Sequence, residues 1–192
     1  MVFILAGCLG FLLFFIYDVN SMKWQSNLVN QFFFIGFLLV LFSTTGAVYY
    51  VREDIVLNSV MSWLWISMIL IFMILLIYSL FFALPFGSTY LENEKGRQVY
   101  TKGMYALSRH PGALWFIGLY FSIYFLTGNS LILIMAVVFS ILNIVYVIFQ
   151  DLWTFPRLFI DYKKYANSTP FIIPSFKSVN RMINTIRFQI GE

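Results

Sequence analysis

The sequence predicts an all-α integral membrane protein with five transmembrane helices, the last two forming a C-terminal helical hairpin, followed by interfacial tail helices on the cytoplasmic side. Three observations predict it. Hydrophobic residues make up 61% of the 192 and charged residues only 10%, with a mean hydropathy of +0.85, whereas soluble domains are about a quarter charged. The charges are also unevenly placed, so that residues 1–17, 24–51, 55–91 and 111–150 hold none. A helix needs roughly 20 apolar residues to cross the hydrocarbon core, so the first three runs hold one span each and the last is long enough for two. This pattern excludes a water-soluble enzyme and a disordered chain. It excludes nucleic acid as a partner too, because the basic residues flank hydrophobic runs instead of forming a stripe on a soluble module. One Cys and one His leave no room for a zinc cluster or a disulfide framework within the chain, and no metal is expected.

Span one is expected over residues 2–17, up to Asp18. The string Leu5-Ala6-Gly7-Cys8 spells the short pattern of bacterial lipoprotein processing, but only seven residues, none basic, precede Cys8. A retained first span is therefore expected. Span two is expected over 28–51 and span three over 60–84, where Pro85, Phe86 and Gly87 end it. Residues 111–150 contain one break, Thr127-Gly128-Asn129-Ser130, whose small turn-forming residues divide the run into two spans joined as a tight hairpin. The tail from Leu152 mixes Arg157, Asp161, Lys163 and Lys164 with apolar residues, so it is not a sixth span. Leu152, Phe155, Phe159, Tyr162 and Tyr165 recur at helical spacing, as do Val179, Met182, Ile183, Ile186 and Ile190. These predict helices lying on the leaflet surface, with membrane lipids as partners. The chain reads as a single membrane domain: three spans over 1–91, a loop, hairpin and site segment over 92–174, and an amphipathic tail over 175–192.

Lys and Arg set the orientation. Five spans put Lys23, the four cations Lys95, Arg97, Lys102 and Arg109, and the six of the tail on one face, 11 in all, against Arg52 alone on the other. The positive-inside tendency makes the richer face cytoplasmic, with the N-terminus outside and the C-terminus inside. The richness in Phe, Ile and Asn points to an AT-rich bacterial source, and so to a bacterial cell membrane.

Polar residues gather in 92–110 and 150–165. At 1.5 Å per residue, span four rises about 25 Å and span five descends about 30 Å, which returns Gln150 and Asp151 to the depth of Arg109 and His110. Pro111 suits a first helical turn and biases His110 toward extended backbone. Arg109 and His110 are thereby expected at a helix N-terminus, where free N–H groups favour an anion. Two plain alternatives stand beside this polar pocket: Arg109 as an orientation anchor paired with Asp151, and His110 as a cap or packing residue.

The run Lys102-Gly103-Met104-Tyr105-Ala106-Leu107-Ser108-Arg109-His110-Pro111 resembles the G-x-Y-x-x-x-R-H-P signature of the isoprenylcysteine carboxyl methyltransferase and phospholipid methyltransferase superfamily. In that family a helical hairpin, an acidic pair, a Y-x-x-Y segment and a proline-containing stretch follow. Their counterparts here are Gln150-Asp151, Tyr162 and Tyr165, and Thr169-Pro170-Phe171-Ile172-Ile173-Pro174, so the likeness covers residues 97–174. It departs at Gln150-Asp151, where the family usually carries Glu-Glu, and at Gly112-Ala113, where an aromatic is common.

The resemblance implies S-adenosylmethionine as cofactor and methyl donor, held at the cytoplasmic end of the last two spans. Arg109, His110 and the first turn of span four would hold its carboxylate. Asp151 and Gln150 would accept from its hydroxyls and amino group, and Tyr105, Tyr162 or Tyr165 would face its adenine. The implied reaction is methyl transfer to a lipophilic or lipidated acceptor bearing a carboxylate or amine, in keeping with the lack of an obvious general base; no catalytic residue is singled out. Two other readings stay open: a related nicotinamide-dependent lipid reductase, and a catalytically lapsed accessory or lipid-binding protein in which Gln150 replaces an acid.

Overall fold

The computed structural model describes residues 1–55, 57, 59–82 and 98–190, the last three by their backbone alone. Pro85, Phe86 and Gly87, expected to end span three, and residues 92–97 of the polar loop lie outside the described residues. The described residues form helices and connecting segments, with no strand among them. In chain order the helices are α1 (Val2–Lys23), α2 (Asn27–Tyr50), α3 (Val60–Ile77, continued by a wider π-helical turn Tyr78–Phe82), α4 (Met104–Leu107), α5 (Pro111–Thr127), α6 (Ser130–Phe149, continued by a π-helical turn Gln150–Thr154), α7 (Phe155–Leu158), α8 (Tyr162–Ser168) and α9 (Phe176–Ile190). Four helical stretches, Val2–Lys23, Asn27–Tyr50, Val60–Phe82 and Ser130–Leu158, are long and apolar enough to cross a membrane; Pro111–Thr127 is apolar but shorter. Their large side chains point outward, as Phe34, Leu64, Ile74 and Ile141 do, which in water would be costly and in lipid is the stable arrangement.

The chain forms two compact units. The first comprises Met1–Leu70 and Ile117–Gln150. Within it α1 and α2 cross closely at Gly10 and Gly36: a Cβ on either would lie 2.8 Å from the other's carbonyl oxygen. Small residues permit such backbone approach where lipid supplies no hydrophobic drive between helices. Phe139 of α6 fills the space over Gly7 and meets Tyr120 of α5 edge-on, with ring centroids 5.5 Å apart. The buried Tyr120 hydroxyl shares a hydrogen bond with Thr44 of α2. Between α5 and α6, Gly128 adopts φ +62, a left-handed conformation open to glycine. Asn129 then caps α6 by accepting the Leu131 N–H at 2.8 Å.

Helix α1 runs past its expected end at Tyr17 to Lys23. The charge does not stop it because Asp18 and Asn20 are buried and bonded instead of seeking water. Asn20 donates to the Ser26 carbonyl at 3.0 Å and to Asn30 Oδ1 at 2.8 Å, and accepts the Ser26 N–H at 3.0 Å. The chain reverses at Gln25, φ 51.

The second unit comprises Ile71–Phe116 and Asp151–Glu192. Here α9 packs on α4, and Thr185 accepts the Gly103 N–H at 3.1 Å. The π-helical turn of α3 buries Ser79, whose hydroxyl accepts Trp115 Nε1–H at 3.0 Å and whose carbonyl accepts the Tyr105 hydroxyl at 3.1 Å.

The expected single apolar face from Leu152 to Tyr165 does not form one interfacial helix. Phe159, at φ −118 and ψ 127, separates α7 from α8. Leu152 stays 73% exposed while Tyr162 and Tyr165 are each 4% exposed. The tyrosines turn inward because their hydroxyls find acceptors there, which removes the cost of burying them. Helix α9, in contrast, contains all five residues of the second expected face, and Ile183 and Ile186 of that face are exposed.

Candidate functional site

The site begins with an extended segment. Pro111 lacks an N–H and opens α5, while Ser108 just before it is extended, at φ −152 and ψ 153. That extension lets the backbone bond residues 170–171: the Arg109 N–H donates to the Pro170 carbonyl at 2.9 Å, and the His110 N–H to the Phe171 carbonyl at 3.2 Å. Buried Ser108 adds a hydroxyl bond to Phe171 O at 2.9 Å. The backbone N–H groups of Arg109 and His110 are thus occupied. What these two residues offer a ligand is their side chains.

Those side chains meet on Asp151. Arg109 Nη1 donates to Asp151 Oδ2 at 3.0 Å, and His110 Nε2 lies 3.2 Å from Oδ1, which also accepts the Tyr162 hydroxyl. The side chains of Arg109, His110 and Asp151 are 14%, 5% and 11% exposed. Apolar rings cover them: Phe155 stacks on the His110 ring with centroids 5.6 Å apart, Phe171 meets it edge-on at 5.1 Å, and the Arg109 guanidinium lies 5.5 Å from the Phe171 ring centre. An ion pair so enclosed is strong only because each partner satisfies the other.

Burial pulls the His110 pKa below its ordinary 6.5, against the opposing pull of Asp151. A neutral imidazole beside a carboxylate must carry its proton on Nε2, which leaves Nδ1 as an acceptor. Burial, reinforced by Asp151, pushes the Tyr162 hydroxyl well above the ordinary phenol value, and burial does the same for Tyr165. Both hydroxyls are therefore fixed as donors. Tyr165 donates to the Tyr105 carbonyl at 2.8 Å, so α8 holds the backbone of the segment that carries Arg109.

Of the sequence-predicted residues, Arg109, His110, Asp151 and Tyr162 form one hydrogen-bonded cluster. Tyr165 adjoins it through the Tyr162 ring, at 6.0 Å. Tyr105 is tied in by its carbonyl, while its hydroxyl goes to Ser79. Gln150 is not part of this cluster: its amide donates to Asp18 Oδ2 at 3.0 Å and to the Tyr146 hydroxyl at 2.9 Å.

Sequence reasoning missed Ser108, Phe155, Phe171 and Asp18. Phe171 had a signal, standing between Pro170 and Pro174 in the stretch that pairs with the motif. Phe155 had one too, four residues after Asp151. Two buried polar atoms near the cluster in sequence, Arg109 Nε and Thr154 Oγ1, have no hydrogen-bond partner among the described residues. The chain matches no protein-family model, no curated protein and no solved structure, so the chemistry rests on these residues themselves.

Proposed function

We propose that this chain is an S-adenosylmethionine-dependent methyltransferase of the isoprenylcysteine carboxyl methyltransferase kind. It acts on a lipophilic acceptor bearing a carboxylate or amine, from the cytoplasmic side of a bacterial membrane. The observation that carries the reading is the meeting of Arg109, His110 and Tyr162 on Asp151. These residues stand at the R-H-P, acidic-pair and Y-x-x-Y positions of the resemblance and come from separate parts of the chain. The five-span topology belongs to the same reading. It counts α5 as a span: 17 residues rise about 25 Å, which a slightly thinned bilayer accommodates.

The residues suit the cofactor. Arg109 keeps a buried Nε–H with no partner among the described residues, the kind of donor that a ligand carboxylate satisfies. His110 Nδ1 is an acceptor for a ligand hydroxyl or amino group. S-adenosylmethionine supplies an already activated methyl group when bound, so the chain has to bind, orient and keep the site dry. Asp151 fixes the Arg109 fork and the His110 tautomer, Tyr162 fixes Asp151, and Phe155 and Phe171 exclude water and lower the local dielectric. No metal or nucleophilic triad is needed for such a transfer.

One observation favours the lapsed, non-enzymatic reading: both oxygens of Asp151 already have partners within the chain, and Gln150 is bonded to Asp18 and Tyr146. Calorimetric titration of the detergent-purified chain with S-adenosylmethionine, followed by transfer of labelled methyl groups into a lipid extract, decides between the two. Saturable binding with label in the organic phase supports the methyltransferase. Absence of binding defeats it.

A further inference from the structure

We propose that the cavity bounded by residues 98–102, α8 and α9 binds a phosphate group, carried by a lipid headgroup or by a soluble phosphate ester. The cavity measures about 490 Å³, and its lining includes Lys102, Asp161, Lys164, Thr169, Arg181 and Thr185. Three cations among the described lining residues arrive from separate segments: Lys102 from the stretch before α4, Lys164 from α8 and Arg181 from α9. Their convergence is a product of tertiary packing and not of a basic run, since Lys163, beside Lys164 in sequence, is not in the lining. The one acid among the described lining residues, Asp161, uses Oδ1 to accept the Val99 N–H at 2.9 Å, which holds the wall of the cavity.

Three cations gathered in a concavity repel one another, and solvent and salt screen that repulsion only in part. An anion relieves it. Arg181 is already oriented for one: Nη1 donates to the Ser168 carbonyl at 3.0 Å and to Thr169 Oγ1 at 3.3 Å. Its remaining N–H groups make no hydrogen bond among the described residues. A guanidinium held in this way loses little freedom on binding an oxyanion. The choice of phosphate over carboxylate follows from shape. A tetrahedral group turns oxygens toward cations on three sides, whereas a carboxylate presents two oxygens in one plane. The cavity shares only Tyr165 with the residues assigned to the methyl donor, and the proposal does not depend on that assignment.

The test uses the full chain in uncharged detergent, with two probes. Equilibrium dialysis measures binding of radiolabelled orthophosphate, and native mass spectrometry compares retention of phosphatidylglycerol with that of diacylglycerol of the same acyl chains. Lys102→Ala and Lys164→Ala remove exposed side chains that make no hydrogen bond among the described residues, so both variants are expected to fold. Each should weaken binding about tenfold, while Lys163→Ala should not. Saturable orthophosphate binding weakened by both variants identifies a soluble ester site. Selective phosphatidylglycerol retention weakened by both, without orthophosphate binding, identifies a headgroup site. The proposal is overturned if neither probe separates the two variants from wild type, if Lys163→Ala weakens binding equally, or if S-adenosylmethionine displaces phosphate competitively. The last result would assign the cavity to the methyl donor.

Discussion

Gln150 donates its side-chain amide to the Asp18 carboxylate at 3.0 Å, across 132 positions of sequence. Because a carboxylate only accepts, this contact fixes which end of the amide is the NH₂ group. The second bond, to the Tyr146 hydroxyl at 2.9 Å, occupies the same nitrogen and leaves Oε1 as the acceptor. The neutral residue at 150, read from sequence as a lost acid, is thus matched to an acid that α1 supplies. Two carboxylates at this distance would repel.

Gln150→Glu is therefore expected to destabilise the chain. Like charges about 4 Å apart at an effective dielectric near 20 cost about 4 kcal/mol before relaxation. Asp18→Asn combined with Gln150→Glu exchanges the charge and restores a carboxylate–amide pair, so the double variant should recover most of the loss. Thermal unfolding in detergent over the four-member cycle gives the coupling. A double variant no more stable than Gln150→Glu alone would show that the contact does not matter.

Gly10 and Gly36 make a second test. A Cβ at either position meets backbone 2.8 Å away, and backbone cannot rotate aside. Gly36→Val should lower stability by about 1 to 3 kcal/mol. Gly112→Ala places its Cβ 3.5 Å from Leu80 Cδ2, an ordinary contact, and should be tolerated. Equal effects of the two substitutions would contradict the close α1–α2 crossing.

The helical membrane architecture was legible because charge-free runs of this length have few other stable forms, and the boundaries of α5 and α6 follow directly from Pro111 and Gly128-Asn129. The end of α1 was not legible, because a charge marks a helix end only if it must reach water, and Asp18 is buried beside Gln150. Arg109, His110, Asp151 and Tyr162 were legible as residue types at motif spacing. The face expected from Leu152 to Tyr165 breaks at Phe159, and Tyr162 and Tyr165 turn inward, since periodicity records which residues share a face and not whether that face turns toward lipid or protein. Their hydroxyls decided it.

The proposed five spans, with the N-terminus outside, would place Ser130 and Ser175 on opposite sides of the membrane. Both are exposed. In a Cys8→Ala background, Ser130→Cys should react with a membrane-impermeant maleimide in intact cells, and Ser175→Cys only after lysis. Labelling of both from the same side would remove a span from the count or add one.

Arg109→Ala, Asp151→Ala and Tyr162→Phe should each weaken S-adenosylmethionine binding, whereas Lys177→Ala and Arg187→Ala, on exposed parts of α9, should not. Loss of one charge-assisted hydrogen bond costs about 1.5 to 3 kcal/mol, or roughly 10- to 150-fold in affinity. The first two variants also strand a partly buried charge, so affinities should be compared at a temperature where circular dichroism shows each variant folded. Donor affinity unchanged in all five would detach the cluster from the cofactor.

His110 supplies the pH dependence. Its folded pKa lies below the ordinary 6.5 because burial disfavours the charged ring more than Asp151 favours it. In the window between the folded value and 6.5, the unfolded chain binds more protons than the folded one, so stability rises with pH there. His110's contribution is therefore fully present above 6.5 and is lost as pH falls through that window. His110→Gln keeps an N–H donor for Asp151 without a titrating group, so the variant's stability curve should be flatter over the same range. Thermal unfolding at a series of pH values between about 5 and 7.5 measures both slopes. A wild type that gains stability on acidification would mean that the ring is charged in the fold, with Asp151 and not burial controlling it.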